Sequence, residues 1–397
     1  NWSELHTNTN HSAFRRVHAF WPLIRHLPDE QIIMKNRFVT QFLTLPLLVA
    51  LHGNAGAAVN KYSSGTDLTI AGAWGTGSGP VPGSSDVATW TTGSLGGALT
   101  IGSGLSWQGV DIQGATAAIT TSGAGTLTLG SSGINIAAAG QNLTIDNSIT
   151  LGANQNWTVG TGRTLTVSRG KTLTLDNKLT LDGAGQVNLG GTGATTLTGS
   201  GEIVVNSGIL QNNMQSGSSA TGRSGATTLS GGTISIATTI SMFGSGAINL
   251  NSGAIGSFRG TGRELGTAHA VNLGGNVQIG GSSGGLGNGY VRFGGATDLG
   301  GSVRTLNVVA SSVFSSNGAG AIFSGLISNG GITKDGSGIL TITNNGNTFS
   351  GATTINAGTF VINQKSIANS ASVSLATSGA ALTLTENGAG THDINNL

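Results

Sequence analysis

Short runs in which Leu, Ile or Val alternates with Thr, Ser or Asn constrain this chain more than any other feature. Leu127-Thr128-Leu129, Leu143-Thr144-Ile145, Leu165-Thr166-Val167, Leu173-Thr174-Leu175, Leu179-Thr180-Leu181, Val187-Asn188-Leu189, Ile234-Ser235-Ile236, Ile248-Asn249-Leu250 and Leu340-Thr341-Ile342 all share the pattern. A period of two places the apolar side chains on one face of an extended strand and the polar ones on the other. Clusters of Gly, Asn, Asp and Ser separate the runs, as turns require. Helices are excluded by the same spacing: 69 of the 397 residues are Gly, and each costs a helix ~1 kcal/mol relative to Ala. The Gly residues lack a period of three and Pro is scarce, which excludes collagen, while a hydrophobic content of 37% is too high for a disordered tract.

The runs also repeat. Leu143-Thr144-Ile145-Asp146-Asn147 is echoed thirty residues later by Leu173-Thr174-Leu175-Asp176-Asn177, and Thr150-Leu151 by Thr180-Leu181. Short strands with Gly and Asn corners at such a period predict an all-β parallel β-helix, a right-handed β-solenoid whose coils stack ~4.8 Å apart. No Pro follows Pro82, as expected where the next coil needs nearly every backbone N–H. The interior should be a column of Leu, Ile and Val, with stability summed from coil to coil. At roughly 20 to 25 residues per coil, the body predicts some 14 to 17 coils and a rod of roughly 70 Å.

Four parts are expected along the chain. Residues 1–33 precede the first Met and hold His6, His11, His18 and His26; they read as non-native upstream translation, and these His are not taken as a metal cluster. Residues 34–57 read as a signal peptide: Lys35-Asn36-Arg37, an apolar stretch from Phe38 to Leu51, then Ala55-Gly56-Ala57, with cleavage after Ala57 or Ala58. The apolar stretch is shorter than the ~20 residues that span a bilayer. Residues 58–108, with Trp74, Trp90 and Trp107 and both later Pro residues, read as an N-terminal cap and first coils, the alternative for these Trp and for Trp157 being a stacking platform for sugars. Residues 109–397 read as the β-helix body. From Val59 onward, 12 Lys and Arg balance 12 Asp and Glu and no Cys occurs, so neither nucleic acid nor an anionic surface is expected as a partner.

Near the end, Lys334-Asp335-Gly336-Ser337-Gly338-Ile339-Leu340-Thr341-Ile342 leads to Asn347-Thr348-Phe349-Ser350-Gly351-Ala352-Thr353-Thr354-Ile355-Asn356-Ala357-Gly358-Thr359-Phe360-Val361-Ile362. This stretch, 334–362, resembles the autotransporter passenger-associated β-strand repeat, with Phe360 where Leu is usual. The resemblance implies a right-handed parallel β-helix, secreted or displayed on the outer membrane of a Gram-negative-type bacterium. Family passengers cross that membrane through a C-terminal β-barrel. No barrel sequence occurs before Leu397, and the reading frame is expected to continue beyond it.

Catalytic patterns are sparse. There is no H-E-x-x-H, no phosphate loop and no G-x-G-x-x-G. G-x-S-x-G occurs around Ser282 and Ser283, in a Gly/Ser loop without the helix that a nucleophile elbow needs. In the mature body only His269 and His392 are available for acid–base work besides the carboxylates. Asp67, Asp86, Asp111, Asp146, Asp176, Asp182, Glu202, Glu264, Asp298, Asp335, Glu386 and Asp393 are scattered singly, Asp176 and Asp182 being the nearest pair of the kind a glycosidase would use. Asp146 and Asp176, each followed by Asn, are expected to bond the backbone at coil corners. No calcium nonapeptide array is present. The expectation is therefore an adhesin or structural stalk with no catalytic, cofactor or metal site. Its expected partners are a host or matrix glycan or protein, or further rods by end-to-end self-association. The alternatives are a polysaccharide lyase or hydrolase, or a solenoid using Thr pairs at 126/128, 164/166, 172/174, 341/343 and 383/385 as an ice-ordering ladder.

Overall fold

The computed structural model describes residues 57–385, apart from 168, 239–241, 259, 268, 282–284, 310–319 and 364–365. The expected upstream segment 1–33 and the signal peptide, except Ala57, lie outside the described residues, as do His392, Glu386, Asp393, Ser282 and Ser283.

The described chain is a parallel β-solenoid of about 12 turns. It has no α-helix among the described residues; Ala71–Ala73 form a single 3-10 turn. Each regular coil lays down three strands, one on each of three faces. The first face stacks Gly97–Thr100, Ile119–Ser122, Leu143–Ile145, Thr164–Val167 and Gln186–Leu189 in parallel register. The second stacks the start of Thr126–Ile136 on Ser148–Leu151, Thr172–Thr174 and Thr196–Gly199. The third stacks the end of that same long strand on Gln155–Val159, Leu179–Asp182 and Ile203–Val205. The long strand bends round a corner and belongs to two faces. Further along, Arg263–Leu265, Val291–Phe293, Ala321–Phe323, Ile339–Ile342, Thr359–Asn363 and Ala381–Thr385 form a six-stranded parallel sheet of their own.

The apolar members of the period-two runs point inward. Leu127, Leu143, Leu165, Leu173, Leu197 and Leu210 are at most 2% exposed, so the core is a column of aliphatic side chains. Gly is needed where corners stack. A Cβ on Gly225 would stand 1.9 Å from the carbonyl oxygen of Gly201, and one on Gly246 would stand 2.0 Å from that of Gly225. Any side chain in this column would force the coils apart, which accounts for much of the Gly content.

The echo takes its place in space, and the coil count needs correction. Leu143 pairs with Leu165 on the first face, whereas Leu173 pairs with Ile149 on the second. The thirty-residue echo therefore spans one coil plus one face, since Leu143 and Leu173 lie on different faces. Coils are also fewer than 14 to 17. Some are longer than the regular ones, as where Val291 pairs with Ala321, and residues 61–85 make an excursion between the first two strands of the third face. About 12 turns at the ~4.8 Å strand spacing give a rod of roughly 58 Å.

The excursion folds back against the C-terminal end of the first strand, Ala57–Asn60. Lys61 and Trp74 form an antiparallel bridge, with Tyr62 N donating to Ala73 O and Gly75 N to Asn60 O, both 2.8 Å. This antiparallel bridge blunts the parallel stack at the end of the first strand. Trp74, Trp90 and Trp107 meet edge to face beneath it, with ring centroids 5.7, 5.7 and 6.4 Å apart.

Candidate functional site

The Trp residues are not a sugar platform. Trp74, Trp90, Trp107 and Trp157 are at most 2% exposed, so no indole face is open for stacking. The indole N–H groups of Trp74, Trp90 and Trp157 donate to Leu68 O, Leu95 O and Gln155 Oε1.

The structure keeps the carboxylates apart and gives several of them local tasks. Asp146 takes Arg169 of the next coil in a two-pronged ion pair, with Nε to Oδ1 at 2.6 Å. It does not bond the backbone as expected. That role falls to the neighbouring amides, Asn147 donating to Gly123 O and Gly125 O, and Asn177 to Leu151 O. An amide both donates and accepts, whereas a carboxylate cannot donate to a carbonyl. Asp176 stands at the corner after the second face, whereas Asp182 ends a third-face strand, so the two do not share a strand face. Thr69 donates twice to Asp67 and holds its carboxyl below the usual range. Glu264 pairs with Arg292 at 3.1 Å. No three His, Asp or Glu side chains converge among the described residues.

Four buried cations escaped the sequence reading. Lys334 is fully buried, and its ammonium donates to Asp335 O, Gly336 O and Ala357 O at 2.7–2.9 Å, bridging consecutive coils. Burial pulls its pKa down to about 8. Lys61, under the N-terminal excursion, donates to Tyr62 O and Ser64 O, and burial brings it likewise to about 8. Arg223 donates to Phe243 O and Ala226 O, and burial lowers its pKa to about 10. Arg263 donates to Ile236 O and Ala237 O. Each cation gathers main-chain carbonyls where the chain leaves or enters a strand. The signal that could have found them is their place beside a strand end in an otherwise nearly uncharged stretch.

The second face carries the regular surface. Outward-pointing Thr126, Ser148, Thr172 and Thr196 form one rank, and Thr128, Thr150, Thr174 and Thr198 form a second. The register is unbroken across these four coils and shifts only between Thr196 and Thr198 where the next strand pairs. None of the eight positions is charged. Of the pairs noted in the sequence, 126/128 and 172/174 belong here, but 164/166 lie on the first face and Thr341 is buried. Beside the second rank, Ser106, Gln108, Thr128, Gly130, Ser131 and Gly152 line a shallow open depression of about 320 Å³.

The motif near the end has a structural job at its key positions. Gly336 and Gly358 sit at φ +75° and +65°, where L side chains are strained. Buried Asn347 accepts from Ile327 N and donates to Ser366 O, and Phe349 and Phe360 fill the interior. Residues 332–362 match the family model of the passenger-associated-transport-repeat. The chain carries a passenger-associated transport repeat. Repeat and parallel solenoid together fit an autotransporter passenger repeat protein. No curated protein and no solved structure matches the chain.

Proposed function

We propose that this solenoid is the rod of an exported passenger, secreted or displayed on the surface of a Gram-negative bacterium, where it acts as an adhesin or structural stalk without catalytic activity. The transport repeat at 332–362, built into coils continuous with the rest of the rod, carries the reading. Lys and Arg balance Asp and Glu from Val59 onward, which favours contact with an extracellular glycan or protein over nucleic acid. Rods meet a host or matrix ligand along their sides and other rods at their ends. Export begins with residues 34–57 as signal peptide.

The test is to tag the natural gene within the exposed corner at Gly162 and label intact cells. Labelling of intact cells supports the proposal, and labelling only after lysis overturns it. Incubation of the protein with neutral and acidic polysaccharides tests the non-catalytic part: release of reducing ends or unsaturated products would overturn that part in favour of a polysaccharide-acting enzyme.

A further inference from the structure

The second face differs from the third in what its side chains do with one another, and it extends over two Thr-rich ranks where the first face stacks a single one, Thr120, Thr144 and Thr166. On the third face, outward polar groups bond along the rod: Asn272 to Asn249 at 2.8 Å, Asn249 to Thr228 at 3.0 Å, and Asn135 to Asp111 at 3.0 Å. On the second face, the hydroxyls of Thr126, Thr128, Thr150, Thr172 and Thr196 make no hydrogen bond to another described residue; only Thr198 reaches Thr174, at 3.4 Å. The hydroxyls are therefore left to an outside acceptor and donor. They form a lattice, spaced ~4.8 Å along the rod and ~6.7 Å across each strand, and every Thr adds a methyl group beside its hydroxyl.

We propose that this face, centred on Thr150 and Thr174, binds the surface of ice. Four coils by two ranks present roughly 200 Å² at those spacings, far below the ~800 Å² per partner of a stable protein interface. An ordinary protein partner is therefore a poor occupant. A soluble sugar chain would be gripped by exposed aromatic rings, and the four Trp of the described rod are internal. Charged polymers find no counter-charge on these strands. A crystalline lattice of water has what the face lacks internally: donors and acceptors repeating in two directions. The rigid solenoid holds the hydroxyls in place beforehand, so little ordering cost remains at contact. This inference is independent of how the rod reaches the surface, since it concerns only the solenoid.

The experiment exposes a single ice crystal to the fluorescently labelled protein and follows crystal shape and recrystallisation. Adsorption with faceting is expected, and absence of both overturns the proposal on the unaltered protein alone. Thr150→Tyr and Thr174→Tyr should abolish adsorption, whereas Asn156→Tyr, exposed on the third face, should retain it. Circular dichroism melts establish that each variant is folded; Thr150→Lys replaces any Tyr variant that is not. Equal activity of second-face variants and wild type, or equal loss in Asn156→Tyr, overturns the assignment. So does retention on crystalline cellulose or chitin, through the same Thr residues, without an effect on ice.

Discussion

The Thr-faced coils, 126–198, and the transport-repeat coils, 327–363, solve the same stacking problem with different means. In the first, Leu143 pairs with Leu165 and Leu173 with Leu197, the core is aliphatic, and Asn147 and Asn177 tie corners to the coil before. In the second, Ala321 pairs with Leu340 and Leu340 with Phe360, so each coil is shorter. The core there takes Phe349 and Phe360, and the corner is held by a buried lysine. A shorter coil turns more sharply, and its corner is drawn in by a different device. The long, flexible Lys334 reaches three carbonyls where the Asn147 amide reaches two. Coil length is thus set at the corners, while the faces keep parallel strands in register.

The largest effect should separate the two regions most clearly. Lys334→Ala strands three buried carbonyls and opens a cavity, so denaturant titration should show a loss of about 4 kcal/mol. An unchanged midpoint would remove the lysine from the account of the repeat. Leu173→Ala acts only on the aliphatic column and should cost about 3 kcal/mol; hydrogen exchange should place the weakening in the neighbouring coils, because a solenoid couples nearest neighbours. Asp146→Ala breaks the part-buried pair with Arg169 at a corner of the Thr-faced coils and should cost about 1 kcal/mol, less in high salt.

Between the two regions lies His269, buried at 4% exposure against Phe243, with Nδ1 3.4 Å from Gly246 O. Burial, and secondarily the charge of Arg223, hold its pKa below the ordinary value. The unfolded chain therefore takes up the proton first as pH falls, and stability present at neutral pH should decline below about 6.5. His269→Gln should flatten that decline in melts run from neutral to mildly acidic pH. The smallest effect is expected on the lattice itself: Thr150→Ala should shift stability by no more than about 0.5 kcal/mol. A large loss would mean that the second face is held by its Thr side chains after all.

The sequence by itself determined the strand type, the inward residues and the parallel stack. Alternation in Leu173-Thr174-Leu175 fixes which side chains face in, and Gly at the corners with no Pro after Pro82 leaves few other folds. It also displayed the transport repeat, whose glycines and Asn347 are short-range signals. What only the tertiary structure decided is which coil lies on which. Coil length varies, being greater where Val291 pairs with Ala321 than where Ala321 pairs with Leu340, so equal spacing in sequence, as in the thirty-residue echo, does not mean adjacency in space. Thr126 and Thr172 look unrelated along the chain, yet they share a rank because Thr126 stacks on Ser148 and Ser148 on Thr172. Burial of Lys334, Arg223 and the Trp triad was equally hidden, since local carbonyls are joined by Ala357 O, Phe243 O and rings that only the stacking of coils brings near.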